Sequence, residues 1–142
     1  MSEREQIVEV LNRLYYYTDH FMWDSLKQKI FTEMVDVDTT SLGDPTPVRI
    51  TADALCQKWE GGLKDLDAVH HQAGNYIIDL EGNTAKAKAY AIASHYKKDT
   101  VGENTRTFVG SYDFKLSKTD SGWRINAFKF NLKYMSGNLE LK

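Results

Sequence analysis

Cysteine is almost missing from this chain: the single residue, Cys56, excludes an internal disulfide framework, and no paired Cys/His spacing exists for a zinc knuckle or finger. A reducing compartment is the simplest expectation. No apolar run approaches the length of a bilayer span, and the opening MSEREQIVEV is charged where a signal peptide would carry its apolar stretch. Cytoplasmic residence is therefore expected. An excess of charge of either sign is also missing: the formal net charge is −2, and no Lys/Arg block is interleaved with aromatics as single-strand binding requires. Nucleic acid and membrane are accordingly not expected partners. Repeats and low-complexity segments are absent too, and 142 residues suit one core, so residues 1–142 are read as a single domain.

What is present divides into helices first and strands later. Ser2 followed by Glu5 fits a capping box, and Ile7, Leu11, Leu14, Tyr15 and Thr18 recur on one helical face. A second helix is predicted over about 23–30, showing Trp23, Leu26 and Ile30 on one side, followed by a strand at Val35–Thr39. Gly43, Asp44, Pro45 and Pro47 mark a turn region, after which Thr51 can cap a third helix with Ala52, Leu55, Cys56, Trp59 and Leu63 inward. Four long β segments come next, at about 69–80, 84–98, 105–117 and 122–134, separated by Gly82-Asn83, Gly102 with Asn104, and Asp120-Ser121-Gly122. The expected fold class is α+β: N-terminal helices packed on a strongly curved, mostly antiparallel sheet, a cone-shaped roll.

The segment 84–98 carries the most information. Ala85, Ala87, Ala89, Ala91, Ala93 and His95 alternate onto one face, with Lys86, Lys88, Tyr90, Ile92 and Tyr96 on the other. Such a row of alanines leaves voids unless bulky helix residues fill them or a ligand cavity lies there. Both readings stay open, and His95 at the end of the row favours a cavity at that end. The opposite face, with its exposed apolar strip, points to a homodimer or homotrimer formed through the outer sheet.

His71 lies on the neighbouring strand. A two-residue Gly82-Asn83 turn pairs Leu80 with Ala85, Ile78 with Ala87 and Tyr76 with Ala89, a register that alone sends His71 outward. One bulge, for which Gly74 is suited, would flip the alternation and aim His71 at the face of His95, leaving His70 at the surface. Asp19 ends the first helix, where the helix dipole disfavours a carboxylate. Beside His71 it would fix the imidazole tautomer and stabilise the imidazolium formed on proton uptake. The alternative is an Asp19 that bonds local backbone and faces water.

Thr18-Asp19-His20-Phe21-Met22-Trp23-Asp24-Ser25-Leu26, Val37-Asp38-Thr39-Thr40-Ser41, Val69-His70-His71-Gln72-Ala73-Gly74, the strand ending in His95, and Asp120-Ser121-Gly122-Trp123 together resemble scytalone dehydratase and its SnoaL-like relatives, of the nuclear transport factor 2-like superfamily. The resemblance runs almost end to end, through short and degenerate motifs. It implies an Asp and two His around a substrate, falling on Asp19, His71 and His95, with no metal and no cofactor. A related dehydrochlorinase implies an Asp/His dyad at the same Asp19 and His71. The two tyrosines that orient substrate and water in scytalone dehydratase fall on Thr18 and Thr39, which implies a different substrate or loss of catalysis.

Among Tyr15, Tyr16, Tyr17, Tyr76 and Tyr112, the last is the candidate to supply a hydroxyl instead, and Trp59 completes the expected substrate-binding set. Trp23 and Trp123 are read as core anchors, Met22 and Met34 as gap fillers, and Cys56 as an inert buried thiol. Asp36 and Asp38 alternate with Val35 and Val37 as a solvated strand edge, not a metal site. Two functions compete: a cofactor-independent lyase or isomerase acting on a small hydrophobic carbonyl or phenolic compound, and a module that binds a small molecule or a protein without chemistry. A purely structural subunit is a third.

Overall fold

The computed structural model describes residues Met1–Lys142. Helix α1 (Glu3–Asp19) starts at the expected capping box, in which Ser2 Oγ accepts from Glu5 N and the Glu5 carboxylate accepts from Ser2 N. Two orphan donors are satisfied at once, a contribution of about 1 kcal/mol. Ile7, Leu11, Leu14, Tyr15 and Thr18 are all buried, as the periodicity predicts.

The second helix differs from expectation. Only Trp23–Ser25 (α2) is α-helical, and Leu26–Ile30 widens into a π turn closed by Phe31 N–H donating to Leu26 C=O. Both Leu26 and Ile30 are fully buried. Strand β1 starts earlier than predicted, at Phe31, and runs to Asp38; a 3-10 turn at Thr40–Leu42 comes after it. A short edge strand, β2 (Val48–Thr51), lies where only a turn was expected. Thr51 then caps α3 (Ala52–Leu63), its hydroxyl accepting from Ala54 N at 3.0 Å.

Strands β3 (Ala68–Glu81), β4 (Thr84–Tyr96), β5 (Thr105–Thr119) and β6 (Gly122–Gly137) form the predicted meander. The six strands make one curved open sheet in the order β2-β1-β6-β5-β4-β3, antiparallel throughout except for the parallel β1/β6 pair. The three helices pack on its inner face, so the α+β expectation holds. The main core joins Ile7, Leu11 and Leu14 of α1 with Leu55 of α3 and Phe114, Leu116 and Ile125 of the sheet.

The alanine row serves two purposes at its two ends. Ala85, Ala87 and Ala89 belong to the helix-packed core, whereas Ala93 and His95 border a cavity. Between them, Ala91 pairs with Gly110 of β5. A β-carbon at Gly110 would sit 2.3 Å from the Asn131 carbonyl oxygen and 2.7 Å from Phe130 Cζ, so only glycine lets the Phe130 ring lie there. On the outer face Tyr90, Ile92, Tyr96 and Tyr134 are exposed, the surface that the expected self-association would cover. Trp123 is buried and Trp23 packs on the core margin, but Met22 is exposed rather than filling a gap, because the chain leaves α1 there toward solvent. No helix is long and apolar enough to cross a membrane.

Candidate functional site

The placement of His71 depends on one irregularity in β3. From the turn, Leu80 pairs with Ala85 and Ile78 with Ala87 as expected; past the irregularity, Gly74 pairs with Tyr90 and His71 with Ala93. Asn75 and Tyr76 therefore share the space opposite Ala89, a bulge that reverses the alternation. The left-handed residue is Asn75 (φ 57°) and not Gly74. Asparagine tolerates that region because its short side chain can bond locally, which places the bulge one residue from its predicted centre.

His71 thus faces inward while His70 is exposed. The Asp19 carboxylate receives both N–H groups of His71: Oδ2 accepts from the backbone N at 2.8 Å and Oδ1 from the ring Nδ1 at 2.5 Å. Each side chain of the pair is only about a tenth exposed (11% and 10%). This is why a carboxylate ends α1. It closes the gap between the helix terminus and β3, and the two bonds compensate for the dipole's opposition. Because an ionised carboxylate only accepts, the proton resides on Nδ1, and Nε2 is the ring nitrogen left with a free lone pair.

His95 has the reverse arrangement. Arg106, its cross-strand partner on β5, donates from Nε to His95 Nδ1 at 3.0 Å. Nδ1 is therefore the acceptor and Nε2 carries the proton. Burial, followed by the positive charge of Arg106, pushes the His95 pKa down from 6.5 to about 4. The two imidazoles are thus set as one acceptor and one neutral donor.

They border a cavity of about 330 Å³ whose remaining wall is mainly apolar: Leu14, Leu55, Trp59, Phe108, Phe128 and Phe130 contribute to it. Tyr15 stacks on the His71 ring at 5.7 Å between centroids, and Tyr112 lies 5.9 Å from Tyr15. The Tyr15 hydroxyl is buried without a hydrogen-bond partner. Burial raises the pKa of both phenols, so both are donors in neutral form.

The expected substrate-binding residues Thr18, Thr39, Tyr112 and Trp59 all line the cavity; of the expected catalytic residues, His71 and His95 line it and Asp19 does not, standing behind His71. Two of the four have their hydroxyl proton committed elsewhere. Thr18 donates to Leu14 C=O at 2.7 Å, and Thr39 donates to Asp44, which also faces Lys58 at 3.7 Å. Trp59 is fixed by Phe31 and Phe128, at 5.8 and 5.6 Å between ring centroids. Cys56 is buried, and its thiol is pushed up to about 11, mainly by burial, which suits the inert role. Asp38 caps Thr40 through its N–H and hydroxyl, and Asp36 pairs with Arg49.

Arg106 is a site residue that the sequence pattern did not bring forward, although a signal existed. Positions 106, 108, 110, 112, 114 and 116 of β5 share one face, and Arg106 is the one charged residue among Phe108, Tyr112, Phe114 and Leu116. Tyr15, as one of eight tyrosines, carries no comparable mark in the sequence.

The His95 environment predicts an acid-side loss of stability. Its native pKa lies below the unfolded value, so between pH 6.5 and about 4 the unfolded chain binds more protons. Stability should fall as pH drops through that window and level off below it, with a contribution on the order of 2 kcal/mol. Chemical denaturation across this range checks it: the difference between wild type and His95→Gln should change within the window and stay constant above it.

Residues 1–129 match the SnoaL-like domain family. Solved structures share the fold at low identity. A protein from Kribbella flavida superposes with a TM-score of 0.93 at 21% identity, covering 99% of this chain and 96% of that one. A candidate scytalone dehydratase from Novosphingobium aromaticivorans gives 0.81 at 19%, covering 94% and 86%. A nuclear transport factor 2-like superfamily protein from Salmonella enterica gives 0.78 at 16%, covering 94% and 92%. No curated protein matches the sequence. With nine-tenths of its length matched and the helices-on-curved-sheet architecture in place, the chain belongs to the SnoaL-like domain family.

Proposed function

We propose that the protein is a cofactor-independent lyase or isomerase of dehydratase type, acting on a small hydrophobic carbonyl or phenolic compound. The observation that carries this is the bidentate Asp19–His71 contact behind an apolar cavity on which His95 presents a neutral donor. A carboxylate that fixes Nδ1–H and stabilises an imidazolium makes Nε2 of His71 a general base.

In the proposed sequence His71 Nε2 takes the proton from the carbon next to the carbonyl. The C–H bonding pair moves into the π system of the enolate, and charge collects on the oxygen facing His95 Nε2–H. In elimination the enolate re-forms its carbonyl, a carbon–carbon double bond forms, and a β-hydroxyl leaves with the proton from His71 as water. In isomerisation His71 returns the proton to another carbon. Acid/base assistance of this kind is worth ~10² to 10⁴ in rate, and a placed oxyanion donor adds about 3 kcal/mol. The candidate scytalone dehydratase among the structural neighbours supports the same reaction class.

Proton abstraction can be tested without the natural substrate. 2-Tetralone, an enolisable ketone of a size the cavity holds, should exchange its activated hydrogens in D₂O faster with the protein than in buffer, monitored by NMR. Quenching of tryptophan fluorescence reports occupancy, since Trp59 is the one of the three tryptophans at the cavity, and saturation of that signal with no gain in exchange would replace the enzyme by a binding module.

A further inference from the structure

Of the two cations that border the cavity, one has no acidic partner. Arg106 appears in none of the ion pairs, whereas Arg13, Lys27, Arg49, Lys88 and Lys118 each face a carboxylate. Its Nε is used on His95, its Nη1 donates to Leu139 C=O at 3.1 Å, and its Nη2 makes no hydrogen bond in the protein. The guanidinium carbon stands 5.6 Å from the centroid of the Phe108 ring, and the side chain borders the cavity. Burial lowers its pKa with no neighbouring carboxylate to oppose that. The other cation at the cavity, Lys58, has Asp44 within 3.7 Å.

A partly desolvated positive charge without a counter-ion costs stability, and the spare N–H donors on Nη2 are directed by the bonds at Nε and Nη1. We propose that Arg106 binds an anionic oxygen of the molecule that fills the cavity, making the substrate class a small aromatic compound with an acidic oxygen, a phenolate, separate from the carbonyl next to which His71 takes its proton. This rests on the proposed function for the occupant's size and apolarity, and adds its charge. The apolar body lies against Trp59, Phe128 and Phe130, and the oxygen lies at the β4/β5 end. Arg106 also acts as a positioning residue through His95, since its Nε–H keeps the His95 proton on Nε2, where it serves the carbonyl oxygen.

The test is a pair of probes of nearly equal size at about pH 8, above the unperturbed imidazole range: 4-nitrophenolate and 4-nitrotoluene, titrated against the quenching of tryptophan fluorescence that Trp59 at the cavity contributes. Wild type should prefer the phenolate by roughly 10- to 100-fold, the range of a hydrogen bond to a charged group. Arg106→Gln should lose that preference while holding 4-nitrotoluene as before, which also shows that the variant is folded. Arg106→Lys should keep part of it. Equal affinity of wild type for both probes overturns this inference and leaves the proton-transfer proposal standing; a preference unchanged in Arg106→Gln overturns it equally. Failure of both probes to bind overturns this inference, and overturns the proton-transfer proposal with it when exchange at 2-tetralone is no faster than in buffer.

Discussion

Replacing His71 with glutamine is expected to slow deuterium exchange at 2-tetralone by ~10²- to 10⁴-fold, with the unfolding midpoint nearly unmoved. Glutamine offers an amide N–H that can still meet the Asp19 carboxylate, so the tie between α1 and β3 survives. It offers no nitrogen basic enough to take a proton. The backbone bond from His71 N to Asp19 at 2.8 Å is independent of the side chain and limits the structural damage. Groups that act as a unit are not additive in their losses, so adding Asp19→Asn to the His71→Gln chain should cost little more exchange. An unchanged exchange rate in the single variant would remove His71 as the base, whatever the remaining geometry.

The second large effect is on stability and is independent of chemistry. Gly110→Ala should lower stability by about 3 kcal/mol, a fall of roughly 10 °C in Tm for a chain of this size. The new methyl group would meet the Asn131 carbonyl oxygen at 2.3 Å, and that oxygen is part of the β5/β6 ladder, which already shifts register between Val109 and Gly110. Relief by movement of Phe130 alone is insufficient, since the clash at 2.7 Å with its ring is the milder of the two. Moving the ring would narrow the cavity that Phe130 lines, so affinity for 4-nitrotoluene should fall together with Tm. Gly74→Ala is the control. A β-carbon there has no neighbour within 4 Å, and its φ is not positive, so calorimetry should find it close to wild type.

How much of this was legible in the sequence depends on whether the deciding force was local. The Ser2/Glu5 box, the Thr51 cap and the alanine alternation are written in neighbouring residues, and the structure has each in place. The His71 face was legible because parity along a strand is arithmetic, and a single bulge was the one way to satisfy it; its centre at Asn75 was not, because glycine is the more obvious left-handed residue. Long-range contacts were hidden. The π turn at Leu26–Ile30 is stabilised by burial of both ends, β2 is a four-residue edge strand beside two prolines, and the parallel β1/β6 pair joins segments far apart in the chain. The meaning of Arg106 comes from a partner on another strand and from the lack of an acid nearby, neither of which a linear pattern displays.

The doubled position at Asn75 and Tyr76 bears on how homologous chains should be aligned. Removing one residue from that pair would restore an even ladder and still leave position 71 across from Ala93, because the extra residue is absorbed opposite Ala89 and the pairing on its far side is untouched. A shorter family member can therefore retain its imidazole on the concave side with regular pairing, and a gap of one codon in this stretch says nothing about loss of chemistry. Counting from the hairpin turn misplaces the histidine, whereas counting from the far end of the strand does not.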